Sequence, residues 1–164
     1  MNSINEFHNN NLNFTAKMNI LTNEVNTERL QKIAQKFEAK TAKYPNDTFE
    51  INGTKKHGFQ IYHFDNDLDE ENCCDITNNQ WNNLFKNSND FIADKFIKLF
   101  EIFKHKNIEY NNAKKYINSV RKNDQYNDPT DFEQKFWDIF TAKTMKEREL
   151  TIAKDSTLKN FEIY

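Results

Sequence analysis

The chain has 164 residues, with 23 basic against 25 acidic side chains and a formal net charge of −2. That length fits one domain with a substantial core, and so small a net charge supplies no global field toward nucleic acid or an anionic membrane. No run approaches the roughly 18 apolar residues of a membrane span, and the opening MNSINEFHNNN has neither the basic start nor the apolar middle of a secretory leader. Asn and Lys are abundant while Gly and Pro number two each, the bias that A/T-rich codons impose. The expected source is therefore an AT-rich bacterium, phage or mobile element. Fifteen Phe supply what a core needs despite the polar average. The two cysteines are the adjacent Cys73 and Cys74, whose disulfide ring would be strained, so a reducing, cytoplasmic setting is expected.

Residues 1–11 are Asn-rich and read as a flexible terminus, and residues 1–164 read as a single domain without linker or repeat. Leu12, Phe14, Ala16, Met18 and Ile20 alternate with polar residues, the period of a strand with one buried face. Asn26 or Thr27 can cap a helix reaching about Lys43, with Leu30, Ile33, Ala34 and Phe37 on one side, and Pro45 stops it. Asn52-Gly53 predicts a two-residue hairpin turn that sets Ile51 opposite Thr54 and Glu50 opposite Lys55. Beyond Gly58, Phe59, Ile61 and His63 share one face, and Gln60, Tyr62 and Phe64 the other.

An acidic loop over residues 65–75 comes next, followed by a capping box of Thr77 and Gln80 with Ile76 and Trp81 placed as a hydrophobic staple. Over residues 88–106, Ile92, Phe96, Leu99 and Phe103 form a stripe that Ala93, Ile97 and Phe100 widen, so this helix should be central. Lys104, His105 and Lys106 read as cations of its last turn. Another helix follows Asn107, carrying Tyr110, Ala113, Ile117 and Val120, and residues 124–128 read as a polar loop. A helix opening near Pro129 carries Phe132, Phe136, Trp137, Ile139 and Phe140, and Thr144 with Glu147 offers a second box at which it could kink. The closing NFEIY alternates weakly, as an edge strand would. The expected fold is α+β and helix-dominated: a small antiparallel sheet, made of the N-terminal strand plus the Asn-Gly hairpin, packed against a bundle of about five or six helices.

For function, the sharpest cluster is Asp65, Asp67, Asp69, Glu70, Glu71 and Asp75, with no basic residue among them. The first three fit the opening ligand positions of a calcium loop, but Glu70 stands where Gly is required and Ile76 where a bidentate Glu is required. His57, His63, Cys73 and Cys74 lack the spacing of a zinc site. No metal and no cofactor is expected. Nor is there a nucleophile elbow, a phosphate-cradling Gly loop or an H-E-x-x-H, so no catalytic residue is assigned and an enzyme is not expected.

The leading expectation is a non-catalytic protein-binding module, immunity- or antitoxin-like or otherwise accessory. It would occlude a basic protein partner, such as a nuclease toxin, through those six acidic residues. The alternative is a nucleic-acid accessory protein using Lys114, Lys115, Arg121 and Lys122 with Tyr110 and Tyr116 interleaved, although AT-rich coding supplies lysines without any such role. A third reading is a small enzyme or secreted effector, which a deep pocket holding His63 beside an acidic neighbour would mark. The oligomeric state is left open.

Overall fold

A computed structural model of the chain describes residues 16–123, 129–154 and 162–163. Strands β1 (Lys17–Ile20), β2 (Thr48–Thr54), β3 (Gly58–Asp65) and β4 (Glu70–Ile76), with the two-residue β5 (Glu162–Ile163), form one sheet in that spatial order. β1 lies parallel to β2, while each later pair is antiparallel. A parallel pair needs a crossover, and helix α1 (Thr27–Lys40) provides it. Asn26 caps α1, its side-chain oxygen accepting from the Arg29 N–H at 3.2 Å.

Alternation along the strands sends Met18, Ile20, Phe49, Ile51, Phe59, Ile61, Cys74 and Ile76 to one face, where all are buried. Against them pack Leu30, Ile33 and Phe37 of α1, Trp81 and Leu84 of α2 (Asn78–Phe85), and the first half of α3 (Asn89–Asn123). The α3 stripe Ile92, Phe96, Leu99, Phe100 and Phe103 is fully buried, as its width requires. Phe37 lies 4.8 Å from Phe49 and 5.6 Å from Phe100, ring centre to ring centre, and Phe59 stacks on Trp81 at 3.9 Å. Truncating any of these rings to Ala should cost about 3–5 kcal/mol, because the cavity adds to the lost transfer energy.

The α+β class holds, but the layout differs from expectation in both layers. The sheet is mixed rather than antiparallel, and the described residues form four helices rather than five or six. Residues 70–76 are not a loop. They form β4, because Asn72, Cys74 and Ile76 alternate with polar residues and complete the sheet beside β3. The helix of residues 88–106 does not stop at Asn107; α3 runs on for 35 residues, since neither Gly nor Pro interrupts it. Lys104 and His105 are consequently mid-helix, His105 pairing with Glu109 at 3.3 Å. Likewise α4 (Pro129–Ala153) continues through Thr144, whose hydroxyl donates back to the Phe140 carbonyl instead of capping a new helix.

The β2–β3 hairpin is present in another register. Ile51 pairs with Ile61 and Glu50 with Tyr62, and the turn is made by residues 55–57. Asn52 and Gly53 lie inside β2, where Gly53 adopts φ +122° and an added Cβ would sit 2.3 Å from the Gly58 carbonyl oxygen. The capping box at Thr77 and Gln80 is formed as expected. Residues 1–11, Leu12, Phe14 and the expected loop at 124–128 lie outside the described residues.

α4 stands apart from this body. Its Trp137 packs on Tyr110 at 5.5 Å and its Phe136 on Tyr116 at 5.5 Å, both on the second half of α3. No described α4 side chain is fully buried. No helix among the described residues is long and apolar enough to cross a membrane.

Candidate functional site: a buried polar ring and an open acidic sheet face

Near the far ends of β3 and β4 the inward positions change from apolar to polar. His63 and Asp65 on β3, Asn72 on β4, Asp47 just before β2, and Lys104 and Asn107 one turn apart on α3 are all buried. A buried polar group is costly unless it is bonded, and here the six bond to one another in a closed ring. Lys104 Nζ donates to Asp65 Oδ2 at 2.8 Å and lies 3.0 Å from Asp47 Oδ2. Asn107 Nδ2 donates to Asp65 Oδ2 at 3.2 Å, and Asn72 Nδ2 donates to Asn107 Oδ1 at 2.9 Å. The same Asn72 nitrogen faces His63 Nδ1 at 3.3 Å, and His63 Nε2 meets Asp47 Oδ2 at 2.8 Å.

The order of donors around this ring is forced. Only the amide nitrogen of Asn107 can face the Asp65 carboxylate, so its oxygen faces Asn72. Asn72 must then present its nitrogen, which makes His63 Nδ1 an acceptor and leaves the Nε2–H to donate to Asp47. His63 is further clamped by rings, stacking on Phe103 at 5.9 Å and edge-on to Phe100 at 4.8 Å. The remaining Asp65 oxygen accepts the Leu68 N–H at 3.1 Å. Burial pushes the Asp65 carboxyl up, but the hydrogen bonds from Lys104 and Asn107, with the lysine's charge, outweigh it and hold the group below the ordinary carboxylate value. Burial pushes Lys104 down, and its bonds to Asp65 and Asp47 outweigh that and raise it.

Asp47, His63 and Asp65 could serve as metal ligands, with one donor atom from each within 4.8 Å of the others. The Lys104 ammonium, however, bonds both carboxylates and so holds the position a cation would take. The side chains of His63, Asp47 and Asp65 are 0% exposed and that of Lys104 is 7% exposed. His63 therefore has the acidic neighbour that an enzyme reading asks for, inside a sealed cluster that gives a substrate no surface to meet. What this arrangement does chemically is fix α3 against the sheet at one register.

The other face of the sheet is different. No described helix packs on it, since all the helix contacts with the buried cluster come from the opposite side. Across its strands run the rows Glu50–Tyr62–Cys73, Thr48–Phe64–Glu71 and Asn52–Gln60–Asp75. Tyr62 and Phe64 stack at 6.0 Å in the middle, both half-buried. Gln60 bridges them to the acid edge, donating to Asp75 Oδ1 at 3.2 Å while accepting from the Tyr62 hydroxyl at 3.1 Å. Burial, then the nearby Cys73, Asp75 and Glu71, push the Tyr62 phenol up. Burial, then Asp75, push the Cys73 thiol up as well.

The six acidic residues expected to act together are thus divided by strand parity. Asp65 faces inward, with its side chain 0% exposed. Glu70 also points to the helix side, where it takes an ion pair from Lys114 at 2.8 Å. Asp67 accepts from Asn46 at 2.8 Å and remains exposed with Asp69 at the β3–β4 turn, Asp69 having φ +54°. Glu71 and Asp75 lie on the open face. Asp65, the first residue of the calcium-like run, is bonded to Lys104 inside the ring. Of the basic set, Lys114 is paired with Glu70 and Arg121 with Glu133, while Lys115 is exposed. The side chain of Lys122 lies outside the described residues.

Sequence reasoning missed Asp47, Asn72, Lys104 and Asn107. Part of the signal was present: Asp65 shares the parity of buried His63, and Lys104 follows Phe100 at helical spacing, inside the apolar arc. No protein-family model matches the chain, and neither the curated proteins nor the solved structures provide a match.

Proposed function

We propose that the chain is a non-catalytic protein-binding module, immunity- or antitoxin-like in mode, that takes a basic partner onto the open face of its sheet in a reducing compartment. The observation that supports this reading is the placement of Glu50, Glu71 and Asp75 around the stacked Tyr62 and Phe64 on a face that no described helix covers. Aromatic side chains flanked by carboxylates provide both a desolvated centre and electrostatic steering for a basic surface, with Lys17 of β1 at the far end of the Phe64 row. Asp67 and Asp69 at the adjoining turn extend the same field. The nucleic-acid alternative has less support, because two of its four basic residues already hold carboxylate partners.

The test is a titration of the isotope-labelled chain with a short Lys/Arg-rich peptide containing aromatic residues, followed by amide shifts. Shifts should centre on Glu50, Tyr62, Phe64, Glu71 and Cys73. They should vanish in the Glu50→Gln/Glu71→Gln/Asp75→Asn variant while the melting temperature holds. Unchanged shifts in that variant would reject the reading. So would a single-stranded oligonucleotide that binds with shifts around Lys115 where the peptide gives none.

A further inference from the structure

α4 touches α3 along one line and leaves a second apolar line uncovered. The α3-facing line includes Glu133, bonded to Arg121, and Trp137, packed on Tyr110. About a quarter-turn away, on a helix advancing about 100° per residue, Phe132, Ile139 and Leu150 are 49%, 71% and 54% exposed. With Lys143, Lys146 and the half-buried Phe136, which also packs on Tyr116 of α3 and so lies where the two lines meet, these positions are spaced alternately four and three apart, the seam of a two-helix coiled contact. We propose that this seam joins two copies of the chain, with their α4 helices antiparallel about a two-fold axis passing close to Ala142.

The seam is self-complementary in that orientation and not in the other. Antiparallel pairing sets Phe132 against Leu150 of the second copy, at both ends of the contact. Ile139 meets the aliphatic stem of Lys143, and Phe136 that of Lys146, with the ammonium heads reaching past to solvent. On the flank away from α3, Lys135, Ala142 and Glu149 recur seven apart, and all three are exposed. The two-fold lays Lys135 alongside Glu149 of the second copy and brings the two small Ala142 side chains opposite one another. A parallel pair would instead stack Lys143 on Lys143 and Lys146 on Lys146 within the seam, like charge against like. Charge thus selects the antiparallel form. The two lysines within the seam make the contact a modest one, with a dissociation constant of about the micromolar range.

The proposal is independent of the sheet-face reading, which concerns the other side of the body. It is tested on the full chain by sedimentation and by cross-linking. At about 100 µM the wild type should sediment as a dimer, and Ile139→Lys should weaken association by about tenfold or more with an unchanged melting temperature, Ile139 being exposed. Under mild oxidation Ala142→Cys should give a linked dimer. Thr141→Cys, on the opposite side of the helix, should not, and neither should the wild type, whose Cys74 is buried and whose half-buried Cys73 lies on the sheet, away from α4. A monomer at that concentration, a dimer that survives Ile139→Lys, or linkage of Thr141→Cys equal to that of Ala142→Cys would overturn it.

Discussion

On the helix-covered face of the sheet, the carboxylate of Asp65 accepts hydrogen bonds from Lys104, Asn107 and the backbone of Leu68. On the opposite face, Glu71 of the neighbouring strand has an exposed side chain, and Asp75 accepts from the Gln60 amide and the Cys73 thiol at the surface of the sheet. These residues belong to one hairpin and one acidic run, and their roles are opposite. The difference between them is parity along the strand. Residue type alone says that a carboxylate is present; which way its strand turns it decides whether it locks the fold or faces a partner.

The largest effect that would sharpen this contrast is expected from Lys104→Met. It removes the only cation of the ring and leaves two carboxylates buried together, which should cost about 3–5 kcal/mol in a denaturant melt. A loss under about 1 kcal/mol would show that the ring is not a structural lock. Asp65→Asn should cost somewhat less, about 2–3 kcal/mol, and it should also change the pH profile.

Asp65 is held below its ordinary value of about 3.9, so its contribution is complete above that value and is lost as pH falls through the lower folded value. Acid unfolding of the wild type should therefore steepen below about pH 4, and that part of the profile should flatten in Asp65→Asn. Lys104 works in the other direction. Its raised value means stability that is complete below about pH 10.4 and is lost as pH rises through the folded value.

Smaller effects belong to the boundary between the faces. Glu70→Gln breaks a half-exposed pair with Lys114 and should cost at most about 1 kcal/mol, less in high salt. The smallest effect on stability is expected from Glu71→Gln with Asp75→Asn, within about 0.5 kcal/mol by thermal melt. If that pair proved as damaging as Lys104→Met, the two faces would not differ in the way described.

Much of this fold was legible because local signals agreed with the tertiary outcome. The period-two pattern of β1, the Asn26 cap, the Thr77–Gln80 box and the wide α3 arc each correspond to what formed. The failures also have particular causes. Glu71 and Asp75 made β4 look like solvated loop, although strand alternation tolerates charge on an uncovered face. Asn52-Gly53 resembled a hairpin turn, but pairing Ile51 with Ile61 buries both, and that gain outranked the local preference. Asn107 looked like a break between helices because Asn is a poor helix former; its side chain is bonded across the interior instead. The ring itself joins residues up to 57 positions apart, from Asp47 to Lys104, and no local pattern encodes such a closure.

A cycle of side-chain donors closed on itself has a dynamic consequence. Its exchangeable protons, the imidazole N–H of His63, the amide protons of Asn72 and Asn107 and the ammonium of Lys104, can meet water only when α3 separates from the sheet. Proton exchange at those side chains should therefore report the opening of that junction rather than the surface fluctuations of each residue. The four would act as a single clock, keeping one shared rate while the groups of the opposite face exchange with solvent independently.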